Sequence, residues 1–243
     1  MADVAPDGVV RVRAGNPSSL TLDGTNSYVV GSWVVDPGPL MDDHLDAILA
    51  AAGGEIEGIV LTHDHSDHSE AAPELARRAG GVPVVLPGEG DRVGPFEVIA
   101  TPGHSADHVA LLLGRVCFCG DTVLGLGSAL VMPGEGSLDA YMRSLKRLRE
   151  LDLETICPGH GPYVNRPNAK LDAYIQHREE REKWILEAIE RGARTRDAVL
   201  DEAWRDVDLD SKPGLRDAAR LTLEAHLEKL AEEGRLDPAG WRG

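Results

Sequence analysis

Apolar positions along the chain follow two rhythms. Short β-branched or aliphatic runs occupy 9–12, 27–30, 33–35, 58–61, 82–86, 96–100, 108–113, 116–119 and 155–157, with the length and composition of strands. Between several of them apolar residues return every three or four positions, which is the helical period. Ser137 followed by Leu138, Tyr141, Met142, Leu145 and Leu148 predicts a capped helix with one apolar stripe. This alternation, sustained to Asn165, predicts an α/β sandwich.

After Pro162 the pattern changes to charged helix. Leu171, Tyr174, Ile175, Arg178, Ile185 and Ile189 predict one long helix over 171–191. Thr195 is a candidate cap for a short helix ending near Trp204. Pro213 would open another, with Leu215, Ala219, Leu223, Leu227 and Leu230 on one face and Gly234 as its stop. With the strand-like Arg235-Leu236 behind them, these helices predict a small winged-helix-like domain at the C-terminus. The expected division is a core at 1–167, a linking helix at 168–191 and the winged-helix-like domain at 192–243.

Composition narrows the class. A chain of 243 residues with 42% hydrophobic and 27% charged residues has enough apolar material for a packed core. Its most apolar segment, 109–119, is interrupted by Gly114 and Arg115 and falls far short of the ~20 residues a membrane span needs. The acidic first seven residues carry no apolar stretch, so neither a secretion signal nor a membrane partner is expected. Cys117, Cys119 and Cys157, odd in number and set in strand-like runs, fit reduced, buried thiols and a cytoplasmic location. A net charge of -16 argues against an extended footprint on duplex DNA, because phosphate binding relies on clustered Lys and Arg. It leaves a small nucleic-acid substrate open. No Gly-x-Ser-x-Gly elbow and no phosphate-cradling Gly-x-x-x-x-Gly-Lys loop occur, and Gly125-Leu126-Gly127 lacks the third glycine of a dinucleotide fingerprint.

The chemistry concentrates in Leu61-Thr62-His63-Asp64-His65-Ser66-Asp67-His68. Three imidazoles and a carboxylate converge there just after an apolar strand. His63 and His65, two apart on an extended turn, can face one point, while Asp67 and His68, where a helix begins, face a second. Imidazole and carboxylate suit a borderline-soft ion such as zinc. Three further segments place a potential ligand after a strand and a Gly or Pro turn. Val98-Ile99-Ala100-Thr101-Pro102-Gly103 delivers His104, Val116-Cys117-Phe118-Cys119-Gly120 delivers Asp121, and Thr155-Ile156-Cys157-Pro158-Gly159 delivers His160. Together these are five histidines and two aspartates, a count suited to two metals with an open position.

His-x-His-x-Asp-His after a strand, then a lone His, a Gly-Asp and a late Gly-His, resembles the metallo-β-lactamase superfamily. The resemblance implies an αββα sandwich in which His63, His65 and His104 hold one zinc ion, Asp67, His68 and His160 hold another, and Asp121 bridges the two. It also matches Asp36, at the end of Val34-Val35-Asp36-Pro37-Gly38, to an early aspartate that braces the ligands, although a turn role before Pro-Gly fits equally well. Gly24-Thr25-Asn26-Ser27-Tyr28, Thr101 to His108, Pro158-Gly159-His160-Gly161-Pro162, His177 to Glu182 and His226-Leu227-Glu228-Lys229-Leu230 extend the likeness across nearly the whole chain. Over that length the chain is similar to the beta-lactamase-like protein 2 group, which includes a single-strand endoribonuclease and is similar to discrete thioesterases. Ser69-Glu70 departs from the Gly-Gly common in the superfamily.

The implied activity is hydrolysis by metal-bound hydroxide, oriented by Asp67, with a metal-bound water or His108 protonating the leaving group. His108 is equally readable as a structural histidine at a strand head. His44, His177 and His226 sit in helical patterns and are expected to pack or face solvent. The glycine-rich loop 125–136, with Leu126 and Met132, is a candidate substrate wall. A phosphodiester in single-stranded RNA is the leading substrate expectation, with a thioester or other acyl ester as the alternative. The mixed charges around Arg216, Arg220 and Lys229 weigh against RNA on the tail, which is expected to pack on the core or on a second subunit in a homodimer. An iron-dependent redox protein is a more distant alternative, disfavoured by His65 where diiron flavoproteins place Glu.

Overall fold

The computed structural model describes residues 3–211 and 214–237. Among them ten strands form two five-stranded sheets. The first holds β1 (Val9–Arg13), β2 (Asn26–Val30), β3 (Trp33–Val35), β4 (Gly58–Val60) and β5 (Val84–Val85) in that order. Its pairing is antiparallel through β3 and parallel from β3 to β5. The second holds β6 (Arg92–Val93), β7 (Phe96–Ala100), β8 (Val109–Leu113), β9 (Val116–Gly120) and β10 (Thr155–Pro158), in the spatial order β10-β9-β8-β7-β6. Only β9 and β10 run parallel there.

The period of two along each strand decides which residue meets which layer. Tyr28, Val30, Val35 and Val60 point from the first sheet into a shared core with Val98, Val109, Leu111, Phe118 and Cys157 of the second. The ring of Phe118 lies edge-on to Tyr28 at 5.3 Å and to Phe96 at 5.5 Å. The alternate residues face outward. Val29, Val34 and Ile59 pack under α1 (Asp42–Ala51) and α3 (Ala72–Arg78), and the four-residue helix α2 (Ser66–Ser69) lies just before α3. On the other side Ala110, Cys117, Cys119 and Ile156 meet α4 (Leu138–Arg149) and the start of α5 (Pro167–Glu190). Helices on both outer faces of two stacked sheets make the expected αββα sandwich. Ser137 caps α4 as predicted, its side chain accepting from the Ala140 N–H.

Several boundaries differ from the sequence reading. The long helix starts at Pro167 rather than at residue 171, because proline is pre-set for the first helical turn, where its missing N–H is not needed. The two-residue strand β6 carries no periodic signal and was not expected. The C-terminal half of α5 packs with α6 (Arg196–Ala203) and α7 (Leu215–Glu232) through Ile185, Val199, Leu200, Leu223 and Leu227. Thr195 does cap α6 through Ala198 N. Arg235-Leu236, expected as a strand, instead folds back, both N–H groups donating to the Leu230 carbonyl. Among the described residues no strand follows β10, so the tail is helical and the wing of a winged helix is not seen. Pro213, the expected helix start, and residues 238–243 of the expected tail lie outside the described residues.

Candidate metal centre

Four strands deliver the seven expected donors from their C-terminal ends. The segment after β4 carries His63 and His65 into the start of α2, where Asp67 and His68 follow. β7 leads to His104, β9 to Asp121 and β10 to His160. The turns must be tight, and two glycines show why. A Cβ on Gly120, where φ is +44°, would lie 2.4 Å from Thr62 Oγ1. One on Gly159 would lie 2.5 Å from Asp121 Oδ1 and 2.6 Å from His68 Cε1, closer than packed atoms approach.

The donor atoms form three overlapping groups, each within 4.8 Å: His63, His65 and His104; His63, His68 and Asp121; Asp67, His68 and His160. His160 Nε2 lies 3.2 Å from Asp67 Oδ2 and 3.3 Å from Asp121 Oδ1, and His68 Nε2 lies 3.6 and 3.5 Å from the same two oxygens. The other Asp121 oxygen, Oδ2, faces His104 Nε2 at 3.8 Å. Asp121 therefore stands between the two outer groups with one oxygen toward each. The residues fit metal ions on a direct observation: His63 Nε2, His68 Nε2 and Asp121 Oδ1 are buried with no hydrogen-bond partner. His160 is within ion-pair distance of Asp121 Oδ1, but not aligned as a hydrogen bond. Buried polar atoms rarely stay unsatisfied, and cations placed between these groups would satisfy all three.

Comparison with known proteins agrees with this geometry. Residues 20–96 and 85–160 match the sequence profile described as the Metallo-beta-lactamase superfamily. The chain belongs to that superfamily. It is 32% identical to the Beta-lactamase-like protein 2 homolog of Drosophila melanogaster, over 94% of this chain and 89% of that protein. A beta-lactamase domain protein from Burkholderia ambifaria shares the fold with a TM-score of 0.77 at 19% identity, over 98% of this chain and 91% of that one. A smaller protein solved in a di-iron-bound form is 30% identical, with a TM-score of 0.52, over 64% of this chain and 94% of its own. Within the superfamily this chain is a metal-dependent hydrolase with a His/Asp donor cluster.

Hydrogen bonds set which ring nitrogen three of the five histidines present. Thr62 Oγ1 donates to Asp36 Oδ2 at 2.7 Å, so it accepts from His63 Nδ1 at 3.0 Å and leaves His63 Nε2 bare toward the cluster. His68 Nδ1 donates to Asp36 Oδ2 at 3.0 Å, and His104 Nδ1 to the Leu130 carbonyl at 2.8 Å. Asp36 thus braces His68, a candidate ligand, beyond its place in a turn. Its other oxygen accepts the Thr62 N–H at 2.7 Å. Fixing the far nitrogen orients the ring and raises its basicity toward a metal.

Electrostatics follow from the crowding. Burial opposes the charged form of His160, but the close carboxylates of Asp121 and Asp67 outweigh it and push the imidazole up to about 9. Burial likewise opposes the charge on His68, while Asp121 and Asp36 raise it well above its ordinary value. His63 and His104 go the other way, held down first by burial. Burial should raise Asp121, yet His68 and His160 hold its carboxyl well below the usual range. The carboxylates clustered among these imidazoles make a charged site suited to dications.

His108 is spent internally. Its Nε2 accepts the Asp121 N–H at 3.1 Å, and its Nδ1 faces Thr101 Oγ1 at 3.0 Å. The ring is buried, and burial holds its pKa well below the ordinary value. Both nitrogens are engaged, which suits the structural of the two roles the sequence left open, with His108 positioning Asp121. Sequence reasoning also missed Thr62, the Leu130 carbonyl and Asn26, whose Nδ2 donates to the Pro158 and Gly161 carbonyls on either side of His160. Hydroxyls and backbone carbonyls leave no pattern in a sequence. Only the buried Gly24 to Tyr28 motif hinted at Asn26.

Proposed function

We propose that this superfamily member is a dinuclear zinc hydrolase acting on a small activated acyl ester, a thioester foremost. The observation that carries the dinuclear reading is Asp121, half-buried with its two oxygens toward separate donor groups. His63, His65 and His104 would hold one ion and Asp67, His68 and His160 the other. Five imidazoles among seven donors favour zinc. Bound zinc would act as a Lewis acid and make a nucleophile of water available at neutral pH. Asp67, the most exposed carboxylate of the cluster at 29%, would orient that water and take its proton.

Two observations move the preference from RNA to an acyl substrate. The first concerns the leaving group. With both His108 nitrogens engaged, protonation of an alkoxide would fall to a metal-bound water alone, whereas a thiol of pKa about 8.5 departs as thiolate without a donor. The second concerns the rim. Leu126 is 58% exposed. The Leu22 side chain and the Leu126 backbone lie beside Gly161, next to His160, and leucines at this border would suit an acyl chain. The cations of α7 are meanwhile engaged: Arg216 with Asp201 and Asp210, Arg220 with Asp197, Lys229 with Glu182 and Glu233. A single-strand footprint needs cations free to meet phosphate.

Zinc-loaded protein offered acyl thioesters and labelled oligoribonucleotides side by side should turn over the thioester. Replacing Leu126 and Met132 by Ser should raise its KM. Cleavage of RNA alone would reverse the assignment. No helix among the described residues is long and apolar enough to cross a membrane. The three buried free thiols support a reducing, cytoplasmic setting.

A further inference from the structure

Lys170, Tyr174 and Arg178 recur every four residues along α5 and so share one face. All three reach the segment that follows Asp121. The Tyr174 hydroxyl accepts the Leu124 N–H at 3.0 Å. Lys170 Nζ donates to the Gly125 and Gly127 carbonyls, both at 3.4 Å. Arg178 donates to Ser128 Oγ at 3.1 Å and to the Ala129 carbonyl. The next carbonyl, that of Leu130, accepts from His104 Nδ1 at 2.8 Å. Among the described residues, 126–131 form no backbone–backbone hydrogen bond, so side chains hold these peptide groups.

Arg178 ends this row. It is 3% exposed and forms no ion pair among the described residues. A guanidinium buried without a carboxylate depends on neutral oxygens for compensation, and displacing the loop would take them away. The peptide group is planar, so fixing the Ala129 carbonyl also fixes the Leu130 nitrogen. Only φ and ψ of Leu130 then separate the held carbonyl from the one that orients His104. The Ala129 and Val131 side chains on either side are buried, which limits that rotation.

We propose that Arg178 is a positioning residue for the metal centre. From α5 it fixes the Leu130 carbonyl and, through it, the His104 ring, whose Nε2 lies 3.0 Å from His65 Nδ1. Holding the far nitrogen orients the ring and strengthens it as a ligand. The effect belongs to the His63, His65 and His104 group. His68 and His160 turn their far nitrogens to Asp36 and to the Gly24 carbonyl, off this path. The inference rests on reading the seven donors as a metal centre and on no particular substrate.

Arg181 supplies the control, a second buried guanidinium of α5, which donates instead to the Ala203 carbonyl and to Asp206. ¹⁵N-histidine NMR of the full-length protein, first metal-free and then titrated with zinc, reads both variants. His104 and His160 signals are assigned by their loss in His104→Gln and His160→Gln. In the metal-free wild type His104 should carry its proton on Nδ1. In Arg178→Met that tautomer should lose its dominance. Zinc affinity read at His104 should then fall about tenfold, the lower end for loss of an outer hydrogen bond, while that read at His160 holds. Arg181→Met should lower the thermal midpoint without moving either signal. Where Arg178→Met fails to fold, Arg178→Lys, which keeps the charge but not the forked reach, should show the same displacement in smaller degree. An unchanged His104 tautomer in the Arg178 variants, equal weakening at His104 and His160, or the same displacement in Arg181→Met would each overturn the proposal. A wild type that takes up no zinc would instead refute the metal reading, and the metal-free tautomer would still decide the role of Arg178.

Discussion

Asp36 holds three partners from a left-handed backbone at φ 48°, a conformation Asp tolerates better than most residues. Thr62 reaches His63, and His68 is held directly, so one carboxylate sets the rings of two ligands. Asp36→Asn keeps the shape but replaces one accepting oxygen with an NH₂ group. Loss of such an outer hydrogen bond typically weakens metal affinity by about 10- to 100-fold. Competition against a chromophoric chelator should find that loss concentrated at the Asp67, His68 and His160 group. Unchanged affinity at both metals would count against the bracing role.

At the scale of elements, the approach to the second sheet is clamped by Glu89. Its carboxylate accepts two bonds from Arg147 of α4, at 2.8 and 2.6 Å, and one from the Ala100 N–H that ends β7. The Arg147 guanidinium and that N–H lower the Glu89 pKa from its ordinary 4.5 to about 2. A depressed carboxyl contributes stability that is present above pH 4.5 and lost as pH falls toward 2. Partial exposure keeps the contribution small through solvent screening. Thermal midpoints of wild type and Glu89→Gln should therefore differ at neutral pH and converge through that acid window. A constant gap would argue against the clamp.

The same scale shows what the sequence made legible. The 63–68 run and the residues after β7, β9 and β10 could be read because metal-binding side chains are rare in such density and follow strand signals. The sandwich could be read from the alternation at Tyr28, Val29 and Val30, which sends successive residues to opposite layers. β6 could not, since Arg92–Val93 is too short to show a period. Nor could the tail, where Arg235 and Leu236 spell a strand but their N–H groups complete a helix end. His108 was equally readable as a proton donor or a structural histidine, because its partner, the Asp121 N–H, leaves no mark in a sequence.

Across the whole molecule, the metal centre joins the two sheets. His63, His65, Asp67 and His68 follow β4 of the first sheet, and His104, Asp121 and His160 follow β7, β9 and β10 of the second. Bound ions would cross-link halves otherwise held by the apolar layer around Phe118. A ligand that binds only the folded state stabilises by about 4.1 kcal/mol when present at about 1,000 times its Kd. Chelation should thus lower the thermal midpoint by several degrees, and zinc should restore it. A midpoint indifferent to metal would mean that the ions do not bind across the sheets.

The most direct measurement is anomalous diffraction at the zinc edge from crystals of the zinc-loaded protein. Two peaks are predicted, one in contact with His63, His65 and His104, the other with Asp67, His68 and His160, with Asp121 between them. A single peak, or peaks away from these seven residues, would contradict the account.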